Sequence, residues 1–388
     1  MKTTILNLAL LALVVPLALD AQTQPQPQAG STALARDPAG DQPDNPGPPA
    51  KDLSPKLKRG AIVKAMKKVA DWQLRDSLGR YDIDWTYAAL YDGLLAASRT
   101  TGDERYHDAV LTVAEENHWA LGPRFAHADD EAIGLTYLTL YAEDRKPERL
   151  APVREGMDRL VARPDDPANP LWWWCDALYM APKVLAQLTV ETDDRRYLDF
   201  LDREWWITSG ALYDQAEHLY FRDKRFLTMR EANGQKIFWS RGNGWVLAGL
   251  AMVLERMPKD YPNRDKFMRQ YREMAERIAG LQQADGLWRA SLLDPEAYPA
   301  PEVSGSAFFT YGLAWGIRAG LLDRERYLPV VEKAWRGLLT HVYADGRLGS
   351  IQPVGGEPGK YKPSSSWVYG VGAFLLAGSE LEKVSAKY

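Results

Sequence analysis

Two kinds of helix alternate along this chain, and that alternation constrains the fold more than any other feature. Past residue 55, apolar residues recur at helical spacing in stretch after stretch. Twelve helices are expected, at roughly 55–78, 84–100, 104–119, 130–143, 148–162, 173–190, 194–207, 242–257, 262–282, 303–320, 324–341 and 364–380. Leu90, Leu94 and Leu95 in the second and Leu135, Leu138 and Tyr141 in the fourth show the period. The even-numbered helices are the more apolar and carry small residues: Gly244, Ala248 and Gly249; Gly305, Ala307, Gly312 and Ala314; Gly370, Gly372 and Ala373. A helix that is apolar nearly all round belongs inside, and small residues let its neighbours approach. The odd-numbered helices carry solvated charged faces, such as Arg272, Glu273, Glu276 and Arg277. Six consecutive hairpins of this kind predict an all-α (α/α)6 barrel, one domain over 55–388 with six inner helices ringed by six outer ones. Between the seventh and eighth helices, 211–238 alternates like strands and contains Asn233-Gly234, so a short β-hairpin at a barrel mouth is expected there.

The N-terminal region reads differently. Lys2 followed by an apolar run from Ile5 to Leu19 marks residues 1–21 as a signal peptide, implying export to the periplasm or beyond. Residues 22–54 are rich in Pro and Gln and are expected to form a disordered linker. A net charge of -4 offers no basic footprint for nucleic acid or a membrane surface. A monomer or weak homo-oligomer is expected. Cys175 is the only cysteine, which excludes an internal disulfide and suits a buried small hydrophobe.

Inner helices of such a barrel all run the same way, so their N-termini converge at one end. What lies there is informative: Asp84-Trp85, His127 to Glu131, Trp174-Cys175-Asp176, Trp239 to Trp245, Ser304 to Phe308, and Ser364 to Trp367. Converging helix dipoles favour a bound anion, and Arg241 adds a forked cation suited to a carboxylate. Fourteen Trp and nineteen Tyr against nine Phe favour polar, ring-shaped ligands, because indoles and phenols combine a flat face with a hydrogen-bonding edge. Two acidic sources, Asp176 and the Asp129–Asp130 pair, complete what an acidic-sugar pocket needs. Taken singly, each element has a plainer reading. Ser304, Ser364 and Asp130 suit N-caps, Asp176 suits a helix dipole, Arg241 suits a structural ion pair, and Asn243-Gly244 suits a helix entry.

Three motifs carry a resemblance: Ala-Asp-Asp-Glu-Ala-Ile-Gly at 128–134, Trp-Cys-Asp-Ala-Leu-Tyr-Met-Ala-Pro at 174–182 and Phe-Trp-Ser-Arg-Gly-Asn-Gly-Trp at 238–245. Together they resemble the unsaturated glucuronyl and rhamnogalacturonyl hydrolases, glycoside hydrolase families 88 and 105, over essentially the whole chain after the linker. The resemblance implies Asp176 as general acid, Asp130 or its neighbour Asp129 as the second carboxylate, and Trp239, Arg241 and Trp245 at substrate-contacting positions. Asn243, Trp174 and Ser364 join that set. Where many members carry a histidine in the hairpin, this chain has Arg222, with His218 four residues upstream, and either could reach the substrate. The implied substrate is an acidic oligosaccharide whose terminal uronic acid carries a C4=C5 double bond. Protonation at C4 and hydration at C5 would give a hemiketal that opens and expels the leaving sugar. The resemblance implies no cofactor, and no metal-ligand spacing such as His-Glu-x-x-His occurs. Two rivals remain at this level: a conventional inverting glycosidase on the same barrel, and a glycan-binding protein without catalysis.

Overall fold

The computed structural model describes residues 39–386, apart from 78–80, 165 and 167. The expected signal peptide and the first part of the expected linker, 22–38, lie outside the described residues.

All twelve expected helices form among the described residues. The outer ones are α1 (Arg59–Ser77), α3 (Glu104–Glu116), α6 (Pro147–Val161), α9 (Arg196–Leu212), α11 (Arg264–Gly280) and α13 (Arg324–Leu339). The inner ones are α2 (Trp85–Thr101), α10 (Ser240–Arg256), α12 (Val303–Arg318), α14 (Val368–Ser385) and two that are split. The fourth expected helix is α4 (Ala128–Glu131) followed by α5 (Gly134–Glu143), and the sixth is α7 (Ala177–Met180) followed by α8 (Pro182–Thr192). At the second split Pro182 lacks the amide that would continue the ladder, and its ring crowds the preceding turn.

The inner helices close a ring. α14 packs between α12 and α2, α12 on α10, α10 on α7 and α8, α8 on α5, and α5 back on α2. Each outer helix covers its inner neighbour: α1 and α3 on α2, α6 on α5, α9 on α8, α11 on α10 and α13 on α12. Glycines set how tightly the ring closes. A Cβ at Gly93 would lie 2.5 Å from Gly372 O, and one at Gly372 or Gly249 would collide with the backbone of Ala89 or Leu178. Side chains of α2, α10, α12 and α14 are buried almost throughout. The interior also holds an ion pair: Lys183, fully buried, donates to Asp92, which also accepts from Tyr179 Oη at 2.9 Å.

The expected hairpin is present. β2 (Tyr213–Asp214) pairs antiparallel with β3 (Leu219–Tyr220), a 3₁₀ turn follows at Lys224–Leu227, and the Asn233-Gly234 turn closes a bridge between Arg230 and Lys236. Gly234 takes φ +83°, the left-handed conformation such a turn requires.

The linker expectation needs correcting from residue 39 onward. β1 (Gly40–Asp41) pairs antiparallel with β4 (Ser366–Trp367) at the entrance to α14. Ala50 N donates to Val342 O at 2.8 Å, and Arg347 Nη1 bonds Asp41 Oδ1 at 2.5 Å. Composition alone missed this because the partners of the segment, the two-residue strand β4 and the buried Arg347, lie at the far end of the chain.

Candidate active site

The N-termini of α2, α4, α7, α10, α12 and α14 supply the expected residues at one end of the barrel. Two of these ends are neutralised internally. Asp84 accepts from Thr86 N at 2.6 Å, and Glu302, wholly buried, accepts from Ser304 N at 3.2 Å and Gly305 N at 2.6 Å. The cap of α12 is therefore Glu302, not Ser304. α7, α10 and α14 have no side-chain cap, so their dipoles remain available.

Asp176 sits at the head of α7 without capping it, largely buried. Cys175, fully buried as expected, points its thiol at Asp176 Oδ2 from 3.4 Å. Arg222 Nε lies 3.6 Å from the same oxygen. The placement of Arg222 is local in origin: Cys175 N donates to Arg222 O at 2.8 Å, and Trp174 bridges Asp223. His218 is held elsewhere. Its Nδ1 lies 3.2 Å from Tyr213 Oη and 3.7 Å from Glu273 on the outer helix α11. Of the two alternatives, Arg222 stands beside Asp176, whereas His218 contacts Tyr213 and Glu273.

Asp129 and Asp130 separate clearly. Arg124 donates to Asp130 from Nε at 2.6 Å and from its backbone amide at 3.2 Å, so Asp130 is engaged in fixing its own loop. Asp129 lies 3.8 Å from His127 Nδ1. Burial pushes the Asp129 carboxyl up to about 7, and the charge of Asp176 adds to the rise. Asp129 thus lies within the electrostatic reach of Asp176, with Asp130 adding a smaller effect of the same sign. Asp82, Asp84, Trp85, Arg124 and Asp129 line a cleft of about 80 Å³ at this point. His127 packs on Trp174, centroid to centroid 5.1 Å, and burial lowers its pKa, which favours the neutral imidazole. Sequence reading passed over His127; its place directly before the acidic run was the available signal.

The 238–245 motif builds the floor of the site and makes no open contact surface. Trp239, Arg241, Asn243 and Trp245 are all essentially inaccessible. Arg241 lies over the rings of Trp239 (4.4 Å) and Tyr369 (4.8 Å) and donates to Gln352 O at 2.5 Å and Pro353 O at 2.8 Å. The expected free fork for a carboxylate is thus occupied by two backbone carbonyls. Asn243 bonds both backbone groups of Tyr220, tying the hairpin to α10. Trp245 belongs to an aromatic stack with Tyr179, Phe308 and Trp85. Ser364 donates to Pro43 O at 2.5 Å and so anchors the N-terminal segment. Each of these four side chains is thus bonded or packed within the protein, and Trp239 with them: its Nε1 donates to Gln352 Oε1 at 3.0 Å. Trp174, nearly buried, contributes a wall. Gln352 was missed altogether. It accepts from Trp239, Arg241 and Tyr369 and donates to Glu302 and Glu357 O, binding the 352–357 segment to the mouth. No local pattern in the sequence marks it.

A family model described as Glycosyl Hydrolase Family 88 matches residues 59–385. An unsaturated 3S-rhamnoglycuronyl hydrolase from Formosa agariphila is 41% identical over 347 residues, covering 84% of this chain and 92% of the relative. A protein of the same description from Alteromonas sp. (strain LOR) is 38% identical over 317 residues, covering 76% of this chain and 77% of the relative. The solved structure of a glycosyl hydrolase family 88 protein from Bacteroides vulgatus superposes with a TM-score of 0.80 at 32% identity, covering 84% of this chain and 99% of that one.

Proposed function

Starting from the premise that the chain belongs to glycosyl hydrolase family 88 and is a glycoside hydrolase, we propose that it removes the terminal unsaturated uronic acid from rhamnoglycuronyl oligosaccharides. The observation that carries this reading is that Asp129 lies in the field of Asp176 while Asp130 is held by Arg124, beside helix ends that no side chain caps. Mutual repulsion between two such carboxyls favours a pair holding one proton. Addition of water across a vinyl ether uses that state: one group delivers a proton to C4 while a carboxylate activates the water that adds at C5. We assign delivery to Asp176, which Arg222 holds in place, and water activation to Asp129. Arg241 and the heads of α7, α10 and α14 supply the positive field that favours the substrate carboxylate. The hemiketal formed at C5 opens and releases the leaving sugar. The names of the two relatives specify a 3S-rhamnoglycuronyl substrate, which we read as a sulfated rhamnose in the leaving position.

Ultraviolet absorbance of the C4=C5 bond tests this directly. Enzyme added to an unsaturated uronyl–rhamnose disaccharide should abolish the absorbance, and Asp176→Asn should stop the loss. Persistent absorbance alongside cleavage of saturated oligosaccharides would overturn the proposal in favour of ordinary inverting hydrolysis.

A further inference from the structure

We propose that Trp173 and Arg222 form the subsite for the leaving sugar, and that this subsite selects a sugar bearing a sulfate. The assignment rests on the reaction proposed above. Of the three consecutive tryptophans, Trp172 and Trp174 are buried, whereas Trp173 is 49% exposed. A large exposed indole three residues before the acid contributes little to the core and offers a flat face on which a pyranose can stack its C–H groups. Its position is fixed by its neighbours, since Trp174 bridges Asp223 and Cys175 bonds Arg222.

Arg222 links this face to the chemistry. Its guanidinium lies 5.5 Å from the Trp173 ring centroid and reaches Asp176 with Nε at 3.6 Å. A sugar stacked on Trp173 would therefore be bridged to Asp176 by Arg222. Nη1 bonds Asp223 at 2.9 Å, while Nε is buried with no hydrogen-bond partner among the described residues. A part-buried guanidinium whose Nε meets Asp176 only at ion-pair distance keeps donor capacity for an oxyanion. Arg225 shares Asp223 with Arg222, and Lys224 is exposed between them, so three cations lie in this stretch against the carboxylates of Asp223 and Asp176. Gly356 closes over the same group, because a Cβ there would sit 3.3 Å from Arg222 Cζ, tighter than ordinary contact. The pocket so formed offers an apolar plate, a cation and a backbone wall, which matches the chemistry of a deoxy sugar sulfate.

The test compares three substrates by loss of C4=C5 absorbance: unsaturated glucuronyl–rhamnose 3-sulfate, its desulfated counterpart, and the methyl glycoside of the unsaturated uronate, which has no leaving ring. For Trp173→Ala, the kcat/KM ratio of either disaccharide to the methyl glycoside should fall about 10-fold or more, chiefly through KM, and Trp173→Phe should recover most of it. For Arg222→Gln, the preference for the sulfated over the desulfated disaccharide should shrink to within about 2-fold. Ratios equal to those of the unsubstituted enzyme in both variants would overturn the subsite. For Trp173→Ala a parallel loss on all three substrates would do so as well, because it would mark Trp173 as structural. If the unsubstituted enzyme consumes none of the three, the parent reaction itself falls.

Discussion

Arg124 grips Asp130 from two directions, its Nε 2.6 Å from Oδ2 and its backbone amide 3.2 Å from Oδ1. The adjacent Asp129 instead feels the charge of Asp176. Two neighbouring residues of the same type therefore have different fates under substitution. Asp129→Asn should lower kcat by about 10³-fold, in the range of a lost acid–base group. Asp130→Asn should cost less than about 10-fold in kcat and instead lower Tm by a few degrees, since a charge-assisted bond in the loop is weakened. Steady-state absorbance kinetics and thermal melts of both variants check this. A larger kinetic loss in Asp130→Asn would reverse the assignment.

The pH dependence follows from the same pair. Asp129 holds its proton up to about 7, well above an ordinary aspartate. In the role assigned to it Asp129 must be ionised, so kcat/KM should rise as pH climbs through about 7. A profile that is flat or falling between pH 5 and 7 would exclude Asp129 as the carboxylate that activates water.

Stability should carry a related signature. Glu131, immediately after the pair, is buried and pushed up to about 8. Its pKa is raised in the folded state, so the folded protein binds more protons than the unfolded chain between about pH 4.5 and 8. That stability is present at the acid side and lost as pH climbs through 8. Glu131→Gln should melt several degrees higher than the parent protein at pH 8 and differ little at pH 4.5. Melting curves at the two pH values would decide, and an unchanged difference would reject Glu131 as the source.

Inside the barrel, Lys183 and Asp92 are both secluded from water. Removing one partner strands the other charge, so Asp92→Ala should destabilise by about 3–5 kcal/mol. Asp92→Ala combined with Lys183→Met should recover a large part of that loss. Urea denaturation of the single and double variants measures the coupling.

Arg241 makes its contribution through Gln352 and Pro353. Arg241→Met should release the 352–357 segment, lowering both Tm and kcat/KM, and protease cutting within that segment should accelerate. Unaltered proteolysis would show that the segment is held by Gln352 alone.

The helical frame was legible because each helix carries its own period: charged faces such as that of α11 and small-residue runs such as that of α12 identify outside and inside without tertiary information. The site was legible as a set of motifs and less so as a set of roles. Nothing in a linear sequence distinguishes Asp129 from Asp130, because the distinction is made by Arg124, on a separate turn. Arg241 looked like a free fork for a similar reason, its carbonyl partners lying 111 and 112 residues away. The N-terminal segment at 39–54 was misread because its order is conferred by β4 and Arg347, at the far end of the chain.

The glycines lining the ring have a consequence for how this protein can diversify. With Gly93 against Gly372, and Gly249 against the backbone of Leu178, the wall has no slack for added atoms. A variant library directed at the inner helices should yield mainly unfolded chains, and new specificity should arise almost entirely from the hairpin around Arg222 and the segment around Gly356. The barrel behaves as a fixed socket, and its selectivity can be exchanged at the rim.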